Sequence, residues 1–260
     1  IKDKINREQQ HSILKENINN SLGIIFQSHF CKNLFQNFFG DINKPKEIIH
    51  NGVSLIDFNR KGDNYRNKLN FSDNDFVIIS SARWRRHKRL DETIEFFNIL
   101  KFKNPKINYK LIILGKNNVE NKNQEDIIFV GDIDYKDLPR WYRTGNIFLH
   151  LSWIEPAGNS HLEAISCGLP VLCANNGGML ETVISTKSGI VSKIDSEYNL
   201  NLVDFYNPPK PNYEILYNDF MNLQNNLNYY SENTDLKKID IDVIAKKYFS
   251  FIKKISDKYC

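Results

Sequence analysis

Two glutamates, Glu155 and Glu163, stand eight residues apart in the stretch WIEPAGNSHLEAISCGLPVL (153–172). Pro156, Gly158 and Asn159 make a turn between them, and Ser160 carries a side chain suited to cap a helix with Glu163 one turn inside it. A helix starting there leaves free backbone N–H groups that suit an anion such as a diphosphate, and Glu163 can reach the same place. A plainer account makes Glu155 a surface acid and Glu163 the glutamate of a capping box, three residues after Ser160. Spacing alone favours the plainer account. A second group lies in SARWRRHKRLDETIEFF (81–97), where Arg83 leaves one predicted strand and Lys88 sits near the start of the next helix. Arginine grips phosphate oxygens bidentately and lysine supplies a point charge, although most basic turns of this kind are simply solvated. Asp132 and Asp134 form an Asp-Ile-Asp after a strand, the pattern of a divalent-metal clamp. The same triplet recurs at 240–242 in the chain's tail, which shows how readily it arises here.

These residues need a frame, and the apolar pattern supplies one. Strands are predicted at 23–26, 46–53, 75–82, 109–115, 126–131, 146–152, 170–174 and 189–192, and helices at 29–39, 88–102, 135–144, 160–167 and from Met179. Strands that are apolar throughout and alternate with helices imply a doubly wound parallel α/β sheet covered on both faces. Such sheets bind ligands outside the carboxyl ends of their strands, where Glu155, Arg83 and Asp132 all fall. The Gly-Gly pair in NNGGMLETV (175–183) follows a strand, where close backbone approach or a positive φ is wanted; its plain reading is an ordinary turn. Residues 57–74 read as a polar linker, YNPPKPNY (206–213) as a Pro-rich joint, and 239–255 as an amphipathic final helix.

Composition sets outer limits. A hydrophobic share of 41% supports a real core, and a formal charge of +4 suits an anionic small ligand or a peripheral membrane contact without calling for nucleic acid. Cys31, Cys167, Cys173 and Cys260 form no CxxC pair and have no His partner at zinc spacing, which points to a reduced, cytoplasmic chain. No apolar run approaches the roughly 18 residues of a membrane span. The chain opens on Ile, so a preceding targeting segment stays an open matter.

Taken in order, the motifs resemble the C-terminal half of retaining GT-B glycosyltransferases of family 4, the group 1 transferases. Glu155 to Glu163 looks like the family's Glu-x7-Glu element, followed by EAISCGLPV and the NNGG turn with its later glutamate. Arg83 and Lys88 resemble its Arg-x4-Lys diphosphate element, and NGV at 51–53 its crossover between domains. The resemblance implies a Rossmann-like, GT-B fold and transfer of a sugar from a nucleotide-diphosphate donor to a glycan or lipid-linked acceptor. It implies that Glu155 meets the donor sugar, that Glu163 binds the ribose, and that Gly158, Asn159 and Ser160 offer backbone N–H groups to sugar and phosphates. Val130, Gly131 and Asp132 would lie against the base. Arg83 and Lys88 would neutralise the leaving diphosphate, so that Glu155, Arg83 and Lys88 form the catalytic set with no cofactor and no metal. Peripheral contact at the inner membrane face would suit a lipid-linked acceptor.

Departures from the pattern matter as well. Ala157 stands where a bulky residue is usual, Asn159 and Ser160 where apolar residues are frequent, and Arg89 where glycine is common; all three changes are expected to bear on which sugar is accepted. Residues 1–50 are expected to be the end of an N-terminal acceptor-side domain, 51–235 the donor-binding domain, and 236–260 a helix crossing back. With so little of the first domain present, a fragment or a chain completed by a partner is implied. Two rivals follow: a nucleotide-sugar-binding module without chemistry, and a polyanion binder using RWRRHKR.

Overall fold

The computed structural model describes residues 2–116, 125–201 and 204–259; Cys260 lies outside them. In chain order the elements are α1 (Lys2–Asn20), β1 (Ile24–Phe26), α2 (His29–Phe39), β2 (Lys46–Ile48), β3 (Phe76–Ser81) and α3 (Leu90–Lys103). There follow β4 (Tyr109–Leu114), β5 (Ile127–Gly131), α4 (Leu138–Tyr142), β6 (Ile147–His150), α5 (Ser160–Ser166), β7 (Val171–Ala174), α6 (Met179–Thr186) and β8 (Gly189–Ser192). Helices α7 (Tyr213–Asn225), α8 (Leu227–Asn233) and α9 (Ile241–Tyr259) close the chain.

Strands β3 to β8 form one parallel sheet in the order β5-β4-β3-β6-β7-β8. The chain winds outward from β3 in one direction and then from β6 in the other. The order therefore reverses between β3 and β6, which opens a crevice at their carboxyl ends. Along β3, Val77 and Ile79 join the core on one face and Ile78 the core on the other, all fully buried. Burial on both faces is why these strands read as continuous apolar runs. Helices α3 and α7 cover one face through Phe96, Leu100, Leu216 and Phe220, while α5 and α6 cover the other through Leu162, Ile165 and Val183.

Strands β1 and β2 pair in parallel as a separate small sheet, capped by α9 through Ile244, Phe251 and Ile255 packed on Ile49 and Ile25. Val53 pairs with the chain at 239–241, its N–H donating to Ile239 O and its carbonyl accepting from Ile241, so the two connections between the sheets run side by side.

Three expectations are corrected. Residues 57–74 are no free linker: Phe58 and Tyr65 are buried on the sheet, Tyr65 N–H donates to Thr144 Oγ1 at 2.9 Å, and Arg66 donates to the carbonyls of Ser72, Asp75 and Thr144. Two buried rings and the Arg66 side chain tie down an irregular coat whose remaining polar side chains give it a solvated linker's composition. Helices α1, α7 and α8 have no counterpart in the predicted pattern. Arg89 does not line the crevice at the strand reversal. It is fully buried at the start of α3 in the left-handed region (φ 57°, ψ 49°), where glycine would be relaxed. Its guanidinium makes a two-bond contact with Asp195, Nη1 to Oδ2 at 2.9 Å and Nη2 to Oδ1 at 2.6 Å, and also donates to Pro209 O at 2.7 Å.

Removing one member of a buried pair strands the other charge, at a cost of about 3–5 kcal/mol. Asp195→Asn and Arg89→Ala are therefore expected to lower unfolding stability by a few kcal/mol, read by urea denaturation. A loss below about 1 kcal/mol, the range of an exposed pair, would show that the pair is solvated.

Candidate active site

The crevice at the strand reversal is a cleft of about 580 Å³. Its lining includes Arg83 and Lys88 from the turn after β3, Asp132 after β5, Glu155 after β6, and Gly158, Asn159, Ser160 and Glu163 around the start of α5. The structure thus brings together both basic residues and both glutamates singled out in the sequence. Val130 and Gly131 are not among the lining residues: Val130 packs against the sheet core, and Gly131 is turned at φ 79° with its carbonyl taking Gly115 N–H. Asp134 is also absent from the lining, so the two aspartates of the Asp-Ile-Asp triplet do not converge there.

Glu155 is fixed at two levels. Its backbone carbonyl accepts from Gly178 N–H at 2.8 Å and Met179 N–H at 3.2 Å. A Cβ on Gly177, which has φ 117°, would stand 2.4 Å from Glu155 O, and one on Gly178 would stand 2.1 Å from Pro156 O. The Gly-Gly pair therefore serves close backbone approach, and it clamps the corner that presents Glu155. The carboxylate is ion-paired with Lys88 and lies 3.7 Å from His150 Nε2, which in turn is 2.7 Å from Ser152 Oγ. Burial alone would raise the Glu155 pKa. The neighbouring His150, and then the Lys88 ammonium, outweigh burial and bring it from 4.5 to about 2. Burial pushes the His150 pKa down, against the pull of Glu155.

Glu163 is fixed differently. Tyr142 Oη donates to its Oε2 at 2.8 Å, and burial raises its pKa while that hydrogen bond works the other way. The cap of α5 is Asn159 without a side-chain hydrogen bond, and Ser160 is the first helical residue. Ser160 is therefore not the N-cap, and the capping-box account of Glu163 fails because its carboxylate turns to Tyr142. Asn159 Oδ1 instead accepts from Asn51 Nδ2 at 2.7 Å, which ties the cleft corner to the connection between the two sheets.

Sequence reading missed three participants. His150 is a lone polar residue in the apolar run of β6, which was a usable signal. Tyr142 belongs to a short helix and carried no motif. Lys116, in the cleft lining after β4, looked like any surface lysine.

With this geometry in hand, comparison with known proteins decides the family. The family model described as glycosyl transferases group 1 matches residues 61–201, more than half of the chain. The chain belongs to the group 1 glycosyl transferases. Among curated relatives of this group 1 chain is the alpha-monoglucosyldiacylglycerol synthase of Streptococcus pneumoniae, 26% identical over 181 residues, covering 64% of this chain and 40% of that protein. Among solved structures, a sucrose-phosphate synthase from Thermosynechococcus elongatus superposes with a TM-score of 0.74 at 17% identity, over 96% of this chain and 62% of the other. Anabaena HepE, solved with UDP and glucose, gives 0.69 at 18% identity, over 90% and 63%. At such identities the likeness is one of fold, and the fold is that of GT-B glycosyltransferases. The chain spans less than two thirds of the length of each of these proteins.

A carboxylate with a depressed folded-state pKa contributes stability that is complete above its unfolded value of 4.5 and is lost as the pH falls toward about 2. Glu155→Gln is expected to flatten the decline of stability across that window, read by urea unfolding at stepped pH. An equally steep acid limb in the variant would place the titrating group elsewhere.

Proposed function

We propose that this chain is the donor-binding part of a family 4, retaining glycosyltransferase that uses a nucleotide-diphosphate sugar without a metal ion. The observation that carries the reading is the meeting, in one cleft at the sheet's reversal point, of Arg83 and Lys88 with Glu155, Glu163 and the Gly158–Ser160 corner. Glu155, held ionised, accepts hydrogen bonds from the donor sugar hydroxyls. Glu163 has one oxygen engaged by Tyr142 and offers the other to the ribose. Asp132 lies toward the base. Arg83 and Lys88 stabilise the negative charge that develops on the diphosphate as the glycosidic bond breaks, which is where fixed charge lowers a barrier most.

In this reading residues 1–50 end an acceptor-side domain, 51–235 form the donor domain, and 236–260 cross back. The names of the relatives favour a hexose donor and a lipid-linked or glycan acceptor, with peripheral contact at the cytoplasmic membrane face. Orientation of two bound reactants contributes about 7–11 kcal/mol to lowering a barrier. Transfer is accordingly expected only with the complete acceptor-side domain, and the present chain alone is expected to bind donor without turnover. Efficient transfer by the 260-residue chain alone, measured as product from a labelled donor, would overturn that division.

The glutamates separate the roles. Glu163→Ala is expected to weaken binding of a bare nucleoside diphosphate, since a hydrogen bond to a charged group contributes about 1.5–3 kcal/mol. Glu155→Ala is expected to weaken the sugar-bearing donor and leave the bare diphosphate largely unaffected. Wild-type titration curves for both variants with every ligand would reject the assignment. With the acceptor-side domain supplied, activity is expected to survive EDTA; loss on chelation, restored by manganese, would move attention to Asp132 and Asp134.

A further inference from the structure

Lys116 closes a pattern of charge across the cleft floor. The strand order β5-β4-β3-β6 places Asp132, Lys116, Arg83 and Glu155 side by side at successive carboxyl ends, and all four line the cleft. The series reads negative, positive, positive, negative. The two central cations are held in register by backbone that continues the pairing beyond the strands. Ala82 N–H donates to Leu114 O at 3.3 Å and Trp84 N–H to Lys116 O at 3.1 Å, while Trp84 Nε1 donates to Leu114 O at 2.9 Å. Gly115, at φ 99°, permits this approach, because a Cβ there would stand 2.2 Å from Ala82 O.

The other cation of the cleft, Lys88, is engaged by Glu155. Among the described residues no carboxylate lies within ion-pair distance of either Arg83 or Lys116. Among the described residues, the positive charge of the cleft that no carboxylate engages therefore sits on Arg83 and Lys116, in the middle of the series, with carboxylates at both ends. That arrangement matches a ligand with an anionic centre and hydrogen-bond-donating groups on either side.

We propose that Lys116 is a diphosphate-binding residue that acts with Arg83, while Lys88 divides its charge between the ligand and the positioning of Glu155. This rests on the donor-site reading above and adds a residue to it. Lys116 is exposed, and its backbone carbonyl makes the contact to Trp84, so side-chain substitution leaves the scaffold in place.

The test is calorimetric titration of the chain and its Lys116→Met and Lys116→Arg variants with UDP, GDP, ADP, inorganic pyrophosphate and uridine, at low and high salt. Lys116→Met is expected to weaken the diphosphates roughly three- to tenfold, as suits a partly solvated charge on phosphate. It is also expected to reduce the salt dependence, leave uridine unchanged, and be rescued by Lys116→Arg. Diphosphate affinities in Lys116→Met equal to those of the parent chain would overturn the proposal. Pyrophosphate binding that needs Lys116, with no gain from any nucleoside, would uphold Lys116 as an anion ligand and overturn the nucleotide reading instead. No binding of any phosphate compound by the parent chain would overturn both.

Discussion

The corner of the cleft depends on how Glu155 is held. Its backbone carbonyl takes two N–H groups from the Gly177–Met179 turn, and its carboxylate takes Lys88 beside His150. Three separate loops, after β3, β6 and β7, are drawn together at this one residue. Loops of this kind are ordinarily the mobile part of an α/β domain. Here the Gly-Gly turn meets the 155 corner backbone to backbone, which only glycine permits at the observed distances. The cost of burying most of a charged carboxylate is offset by its two neighbours, His150 and the ion-paired Lys88.

The same corner anchors the first fifty residues. Ser28 Oγ donates to Pro156 O at 2.9 Å and accepts Cys31 N–H at 3.0 Å, so one hydroxyl both caps α2 and grips the corner. Glu181, just beyond the Gly-Gly turn, accepts the N–H groups of His29 and Phe30 at 2.9 Å each and contacts His50. An acid at the start of α2 also complements that helix's positive end. Hence the later glutamate of the NNGG run is used for joining the small sheet to the large one, one turn away from the cleft. Asn51 completes the seam by holding Asn159. Movement between the two sheets would therefore be felt directly at the residues that line the cleft.

How much of this was legible in sequence follows from the kind of signal each part leaves. The large sheet was legible because strands buried on both faces produce apolar runs, and each predicted strand from 75 to 192 has its counterpart. The meeting of Arg83 and Lys88 with the two glutamates was legible because all four lie in the connections and helix starts that follow strand ends, which a doubly wound sheet collects on one edge. What escaped was set by tertiary contact. Ser160 has a good capping side chain, yet Asn159 takes the cap position, and Glu163 finds Tyr142 rather than its own helix end. Arg89 resembled a specificity change and proved to be the buried partner of Asp195, a residue 106 positions away. Residues 57–74 have a linker's composition because most of their polar side chains face water, while Phe58, Tyr65 and Arg66 fasten the segment to the sheet. Helix α7 does carry an apolar stripe, Leu216, Phe220 and Leu223, behind an Asn212 cap, which sequence reading passed over after the Pro-rich joint; the short α8 has no such stripe and packs on α7.

The central claim is that the cleft receives a nucleotide-diphosphate sugar through charges and carboxylates already in place. The most direct measurement is a thermal-shift panel of UDP-, GDP- and ADP-sugars against the 260-residue chain, with inorganic pyrophosphate for comparison. A ligand that binds only the native state raises the melting temperature in proportion to the logarithm of its saturation. The account predicts a rise with one nucleotide class that exceeds the rise with pyrophosphate and shrinks in Glu163→Ala. An unchanged melting temperature with every nucleotide sugar would contradict it.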